Sequence, residues 1–169
     1  MFKSDIRLYG KHAAYLKTYS KDKQGETQFL FTLKDNENNT KDLYVFETMI
    51  QCYMVAAMIG IIEGRSSPED TSNRAIYSNI MTEQVVNNRA MLRRITQLMI
   101  LTTESGTADK RIKHAFSINR EDDKEIEKMV SSYARGGLEI IDEMFSSCRT
   151  YEDVANQILS LLDKYGIEG

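Results

Sequence analysis

One apolar segment near the middle of the chain constrains the fold more than any other feature. It runs from Leu43 to Pro68 with the sequence LYVFETMIQCYMVAAMIGIIEGRSSP, and it ends at the only proline of the chain. A helix that is apolar on nearly all sides must be covered by neighbouring elements. The segment therefore predicts a buried central helix within a helical bundle.

The same segment has the length of a membrane span. Residues Leu43 to Ile62 are apolar over about 20 positions, which is enough to cross a bilayer. Glu47, Thr48 and Gln51 lie inside this stretch, however, and polar groups are costly in hydrocarbon. The rest of the chain is polar and offers no second span, so a buried helix is favoured and no membrane contact is expected.

Composition sets the limits for the remaining inferences. The 169 residues are 41% apolar and 28% charged, which is ordinary for one globular domain. A net charge of -3 argues against a generally basic surface, so any contact with a polyanion needs a local patch. Cys52 and Cys148 are the only cysteines, and the N-terminus lacks an apolar signal segment. These features predict a reduced, cytoplasmic protein with free thiols.

Helical periodicity and capping residues predict an all-α fold. We expect an irregular bundle of five to seven helices around the central helix, in a single domain of residues 1–169. Segment 28–34 is ambiguous between a short strand and a turn. The first helix is predicted to follow a cap at Ser4, the central helix a cap at Thr40 or Asp42, and the last helix a cap at Thr150. The other helices are predicted to begin at Thr82, near Ala108 and after Asn119.

Small residues recur where large ones are expected inside two of these helices. They are Ala56, Ala57, Gly60 and Gly64 in the central helix, and Gly136 and Gly137 in a later one. A glycine within a helix costs about 1 kcal/mol relative to alanine, so an adjacent pair needs a reason. Either the two helices approach closely, or the later helix breaks between Tyr133 and Gly137. The apolar register continues through the pair, which favours close packing.

The same two stretches resemble a known family. The strings AAMIGIIEGRSSP at 56–68 and YARGGLEII at 133–141 are similar in wording and order to small accessory proteins encoded with bacterial DNA-phosphorothioation (Dnd) and related phage-defence clusters. The resemblance covers the central helix, its following loop and the late helix with the glycine pair. It implies a helical, non-catalytic accessory subunit associated with DNA modification or restriction.

No catalytic motif occurs in the chain. His12 and His114 have no cysteine or histidine at a metal-ligand spacing, which favours structural or surface roles. Asp35, Glu37 and Asn39 imitate the start of a calcium loop, but the glycine and the glutamate that the loop needs are missing. The acidic cluster of residues 121–125 suits a solvated helix start better than a metal site. We therefore expect no catalytic residue, no metal and no cofactor.

Basic residues offer a candidate contact for phosphate groups. They are Arg65, Arg89, Arg93, Arg94, Lys110, Arg111 and Lys113. Side chains of this kind can contact a nucleic-acid backbone. Helices commonly carry as many basic residues on a solvated face, however, and few aromatic residues lie between them as stacking platforms.

The last helix, predicted within residues 150–166, carries a heptad-like apolar seam. It consists of Tyr151, Val154, Ile158, Leu161 and Tyr165, and Leu162 widens it. The seam either closes the bundle of the domain itself or docks on a partner. The short polar link before it allows the second arrangement.

These patterns favour a helical adaptor that acts through a protein partner or as a homo-oligomer, and the family resemblance implies that it does so in a DNA-modification or phage-defence complex. Any contact with DNA is then expected through that complex. The alternative is a small DNA-binding module that uses the Arg89 to Lys113 surface. An enzyme has no residue to support it.

Overall fold

A computed structural model describes residues 1–22, 29–35, 37, 39–117 and 123–166. Over these residues it contains seven helices and two two-stranded antiparallel sheets, and the chain is 59% helical. The elements in chain order are β1 (Ile6–Tyr9), α1 (Gly10–Tyr19), β2 (Thr32–Lys34), β3 (Thr40–Asp42), α2 (Met49–Ile62), β4 (Tyr77–Ile80), α3 (Thr82–Asn87), α4 (Arg89–Thr103), α5 (Ala108–Phe116), α6 (Asp123–Phe145) and α7 (Tyr151–Lys164). The prediction of a mostly helical fold is confirmed, but a purely all-α fold is wrong because of the two sheets.

The first sheet replaces the beginning of a predicted helix. β1 pairs with β4 from Ile6 opposite Ile80 to Tyr9 opposite Tyr77, so a helix starting after Ser4 is wrong. The partner strand lies about seventy residues away, and strand formation depends strongly on such packing context. Gly10 then starts α1 with a φ of +57°, a left-handed conformation that glycine adopts without strain.

The second sheet lies before the central helix. β2 falls within the ambiguous segment 28–34, whose first residue lies outside the described residues. β3 occupies the position where a helix cap was predicted at Thr40 or Asp42, so that prediction is wrong. The cap of α2 is instead Thr48, whose side chain accepts from the backbone N–H of Gln51 while the Gln51 side chain accepts from the N–H of Thr48.

α2 forms the centre of the molecule. It packs against α1, α4 and above all α6. Cys52, Tyr53, Ala56 and Ala57 along it are fully buried. Within the described parts of the chain, no helix combines the length and the apolar character that a bilayer crossing requires.

The later helices follow the predictions with one exception. The helix predicted from Thr82 to Thr103 is divided at Asn88, whose side-chain amide donates to the carbonyl of Gln84 at 2.8 Å. This local hydrogen bond competes with the helical ladder and accounts for the division. α5 has the predicted position. α7 begins with the predicted pair, because Thr150 and Asp153 cap each other's backbone N–H groups. Residues 118–122, including Asn119 and part of the acidic cluster, lie outside the described residues.

α6 runs without a break through Gly136 and Gly137, against the alternative of a broken helix. A Cβ atom added at Gly137 would lie 1.8 Å from the carbonyl oxygen of Ala56, and one at Gly60 would lie 2.0 Å from that of Tyr133. The backbones of α2 and α6 therefore touch at these glycines. An added Cβ at Gly136 would meet the carbonyl oxygen of Arg65 at 2.1 Å, so the loop after α2 also lies against α6.

Gly64 has a different role from the one expected. Its φ is +64°, and nothing lies within 4 Å of an added Cβ. It follows the last residues of α2 in the left-handed conformation that commonly ends a helix. Gly64 therefore belongs to the helix terminus and not to the close packing.

Replacement of Gly137 by alanine should destabilise the fold, although alanine is the better helix former by about 1 kcal/mol. The added Cβ would overlap the Ala56 carbonyl and push the helices apart, at a cost of about 1 to 3 kcal/mol or more. Urea unfolding measures whether the substitution lowers or raises the free energy of unfolding. Gly64→Ala is the control, since its cost is limited to left-handed strain of about 1 to 2 kcal/mol. A Gly137→Ala protein more stable than wild type would contradict the contact.

Candidate functional site

A polar cluster forms around Glu139 of α6. One of its carboxylate oxygens, Oε1, accepts from Lys11 Nζ at 2.9 Å, from His12 Nε2 at 3.1 Å and from Ser67 Oγ at 2.7 Å. The other oxygen lies 3.1 Å from a guanidinium nitrogen of Arg65. Glu139 thus joins the start of α1 to the loop after α2. We call this set of five residues the Glu139 cluster.

The surroundings of Glu139 stabilise its charged form. Burial by itself raises the pKa of this carboxyl, but the hydrogen bonds from Lys11, Ser67 and His12 outweigh it and hold the pKa at about 2. A carboxylate with so low a pKa is a poor general base near neutral pH. The cluster therefore has the properties of a structural junction.

His12 is buried at the same junction, with 1% of its surface exposed. Burial lowers its pKa, and the hydrogen bond to Glu139 opposes this shift only in part. The ring nitrogen Nδ1 has no hydrogen-bond partner among the described residues. The lowered pKa makes the neutral imidazole the main form of His12 near neutral pH.

Two of the seven basic candidates are engaged in the fold. Arg65 forms a two-pronged ion pair with Glu143, at 2.8 Å and 2.7 Å, in addition to its contact with Glu139. Arg111 donates from NH1 to the carbonyl of Leu101 at 3.0 Å and so satisfies a backbone group near the end of α4. The Arg65 guanidinium is thus paired with carboxylates, and that of Arg111 is partly used by a backbone carbonyl.

The other five candidates are exposed. They are Arg89, Arg93, Arg94, Lys110 and Lys113, and none of them forms an ion pair with another described residue. The arginines lie in the first half of α4, whereas the lysines lie on α5, which follows the other end of α4. The structure therefore divides the predicted basic surface into two groups on adjacent helices.

α7 covers only part of its own apolar face. Val154 is buried, Leu161 packs against the core, and the hydroxyl of Tyr165 donates to Glu63 at 2.8 Å. Tyr151, Ile158 and Leu159 in contrast are 43%, 39% and 58% exposed. At 3.6 residues per turn, these three side chains lie beside the core-facing row on the same apolar arc. We call Tyr151, Ile158, Leu159 and the half-buried Leu162 the open face of α7.

The sequence seam thus contains two kinds of residue that periodicity alone does not separate. Val154, Leu161 and Tyr165 lie against the rest of the chain, whereas Tyr151 and Ile158 are only partly covered by it. Leu159 was missing from the seam because it falls between heptad positions. The sequence indicates Leu159 only through the width of the apolar arc of α7, which extends beyond the heptad seam.

Among the described residues, neither the thiols nor the acidic groups form a further candidate site. Burial raises the pKa of Cys52 to about 12 and also raises the pKa of Cys148, so both thiols remain protonated near neutral pH. Where side chains are described, no group of three or more histidine, cysteine or carboxylate residues is arranged to hold a metal ion.

The fold and these surfaces define a small, mostly helical protein with an internal polar junction and an uncovered helix face. The chain belongs to the family described as DNA sulphur modification system-associated protein 4, whose model matches residues 20–166. The resemblance to Dnd-associated proteins is thereby confirmed over most of the chain. Neither a curated protein nor a solved structure matches it.

The low pKa of Glu139 predicts a pH-dependent contribution to stability. The ordinary value is 4.5 and the folded value about 2, so this contribution is complete above pH 4.5 and is lost as the pH falls toward 2. At 1.36 kcal/mol per unit of pKa it amounts to about 3 kcal/mol.

Urea unfolding of wild type and of Glu139→Gln between pH 7 and pH 2.5 tests this expectation. The difference in unfolding free energy should shrink below pH 4.5, while the titration of all other carboxylates cancels in the comparison. A difference that stays constant over this range would show that the cluster does not hold Glu139 in its charged form.

Proposed function

We propose that this chain is a non-catalytic accessory subunit of a DNA sulphur modification system, and that it acts by binding another protein through the open face of α7. Family membership supports the association with the modification system. The observation that carries the binding role is the exposure of Tyr151, Ile158 and Leu159 on one helix.

The construction of α7 supports a docking role. Its capping box and the acidic residues Glu152 and Asp153 in its first turn stabilise the helix without help from the open face. Burial of apolar surface is worth about 25 cal/mol per Å², so covering these large side chains favours association. Because the capping box and the acidic residues stabilise α7 before a partner binds, the helix is preformed, and this lowers the entropic cost of binding.

The partner in this proposal is a larger protein of the same system that presents an apolar groove to a helix. A second copy of the chain is the competing partner, because an isologous contact between two open faces buries the same residues. The complex as a whole reaches DNA, and the two buried thiols fit the reducing cytoplasm where we place it.

The polar groups described above support the non-catalytic part of the proposal. Glu139 is held in its charged form by four donors, and His12 is buried beside it. The raised pKa values of Cys52 and Cys148 disfavour the thiolate that a nucleophile needs.

Charge placed on the open face should abolish binding and leave the fold intact. The variant Ile158→Asp, Leu159→Asp is coexpressed with the other proteins of the modification system, and affinity purification followed by light scattering measures the complex. We expect affinity to fall at least about tenfold, with an unchanged melting temperature.

Asn156→Asp, Ser160→Asp is the matched control, since it adds the same charge to exposed positions on the polar side of α7. This control should keep the complex. If the open-face variant unfolds, the face belongs to the core of the domain. If it remains folded and keeps the complex, the proposed interface is wrong. A wild-type dimer that becomes a monomer in the variant identifies a second copy as the partner.

A further inference from the structure

A solvent-open groove of about 480 Å³ lies between residues 2–7 and the first half of α6. Its volume is within the range of sites that hold small ligands or parts of larger ones. It is lined by side chains that no feature discussed so far uses. Among them are three cations on α6, namely Lys124, Lys128 and Arg135.

The cations form one row along the helix. Lys124, Lys128, Ser131 and Arg135 are separated by four, three and four residues, so all four project toward the same side. At 1.5 Å per residue the row is about 16 Å long. The spacing of these four residues can be read from the sequence. The apolar residues that recur along the same helix form a longer pattern, and that pattern was the one interpreted.

Arg135 is the fixed point of the row. It is half-buried, and its Nε donates to the backbone carbonyl of Ser67 at 2.8 Å. Ser67 is itself held, because its N–H donates to the carbonyl of Ser132 and its hydroxyl donates to Glu139. The guanidinium therefore has a defined position before any ligand arrives.

The remaining N–H groups of Arg135 have no acceptor among the described residues, and no described carboxylate forms an ion pair with it. A guanidinium carries five N–H donors, of which only one is used here. The unpaired nitrogens of Arg135 are not fully buried, so they remain open to a ligand in the groove. A planar fork of this kind is suited to two oxygens of an anion.

Three carboxylates also line the groove, and two of them are oriented by hydrogen bonds from groups outside the row. Asp5 accepts from the hydroxyl and the backbone N–H of Thr82, at 2.6 Å and 2.8 Å. Glu127 accepts from the backbone N–H of Phe2. Only Glu69 remains near Arg135 as a charge that is not engaged by another described residue. With Arg7, which also lines the groove, four cations face three carboxylates, so the lining keeps a small excess of positive charge.

We propose that this groove binds the phosphate groups of a polyanionic ligand, with Arg135 as the fixed contact and Lys128 and Lys124 extending the row. Three cations over about 16 Å suit several phosphate groups better than one carboxylate. Phe2, the single aromatic residue among the described lining, is buried and offers no stacking platform. The contact is therefore to phosphate and independent of base sequence.

Binding of the full chain to two probes tests the site and distinguishes the source of the phosphate groups. One probe is a labelled single-stranded DNA of about 12 nucleotides, and the other is a nucleoside triphosphate. Anisotropy and calorimetry are recorded between 50 mM and 200 mM salt. Saturable binding of either probe is expected, and the stronger ligand identifies the source.

Two variants report on the groove. Lys124→Gln, Lys128→Gln changes exposed residues that carry no described structural contact, and it should weaken binding at least about tenfold. For single-stranded DNA it should also lower the slope of log affinity against log salt by about 1.4, since each phosphate contact contributes about 0.7. Arg135→Lys keeps the positive charge but loses the planar, forked guanidinium group, and we expect the affinity to fall about tenfold.

Lys34→Gln, Lys41→Gln is the control, because it removes the same charge from exposed residues of the β2–β3 hairpin. It should bind like wild type. The proposal is overturned if neither probe binds at 50 mM salt. It is equally overturned if a folded Lys124→Gln, Lys128→Gln protein binds like wild type, or if binding is lost instead on Lys110→Gln, Lys113→Gln.

Discussion

The backbone contact between α2 and α6 determines the arrangement of everything else in the molecule. Gly137 lies directly against the carbonyl of Ala56, and Gly60 lies against that of Tyr133. Helices that meet without intervening side chains lie closer than the usual 8 to 10 Å separation allows. The small side chains here permit this contact, and the larger apolar residues on either side of it form the core.

This contact also places the polar residues. Gly136 brings α6 against the loop that follows α2, and from there α6 extends Glu139 toward Lys11 and Ser67 on one side. One turn earlier, Arg135 reaches the carbonyl of Ser67. The Glu139 cluster closes the junction between α1, the loop and α6, whereas the row of cations faces outward into a groove. A single helix therefore supplies both the internal electrostatic junction and the charged outer surface.

Features that depend on neighbouring residues in the sequence were predictable. The capping pair Thr150 and Asp153, the position of α5 and the location of small residues in α2 and α6 all follow from local patterns. The pairing of β1 with β4 was not predictable in this way, because the strands are far apart in the chain and each is only four residues long. Ile6, Tyr9 and Ala13 are spaced as on one face of a helix, so the local pattern indicates a helix where the structure has a strand.

The contacts of the polar residues also depend on parts of the chain that are far apart in sequence. His12 and Glu139 are 127 residues apart, so no local pattern announced their contact. Arg65 was expected to contact phosphate from its type alone, and its ion pair with Glu143 became visible only with the fold. In α7 the sequence identified the apolar seam, but only the packing separated the buried row of Val154 and Leu161 from the open face.

Hydrogen exchange resolved by residue can separate the α2–α6 contact, which holds the fold together, from α7, which we propose to be a docking element. In the isolated chain, amides of α2 and α6 should exchange only through global unfolding, while those of α7 should exchange through a local opening of lower free energy. When the partner protein is bound, the amides of α7 should gain more protection over the free chain than the amides of any other segment. Exchange of α7 as slow as that of α2 in the free chain, with no further protection in the complex, would contradict the account.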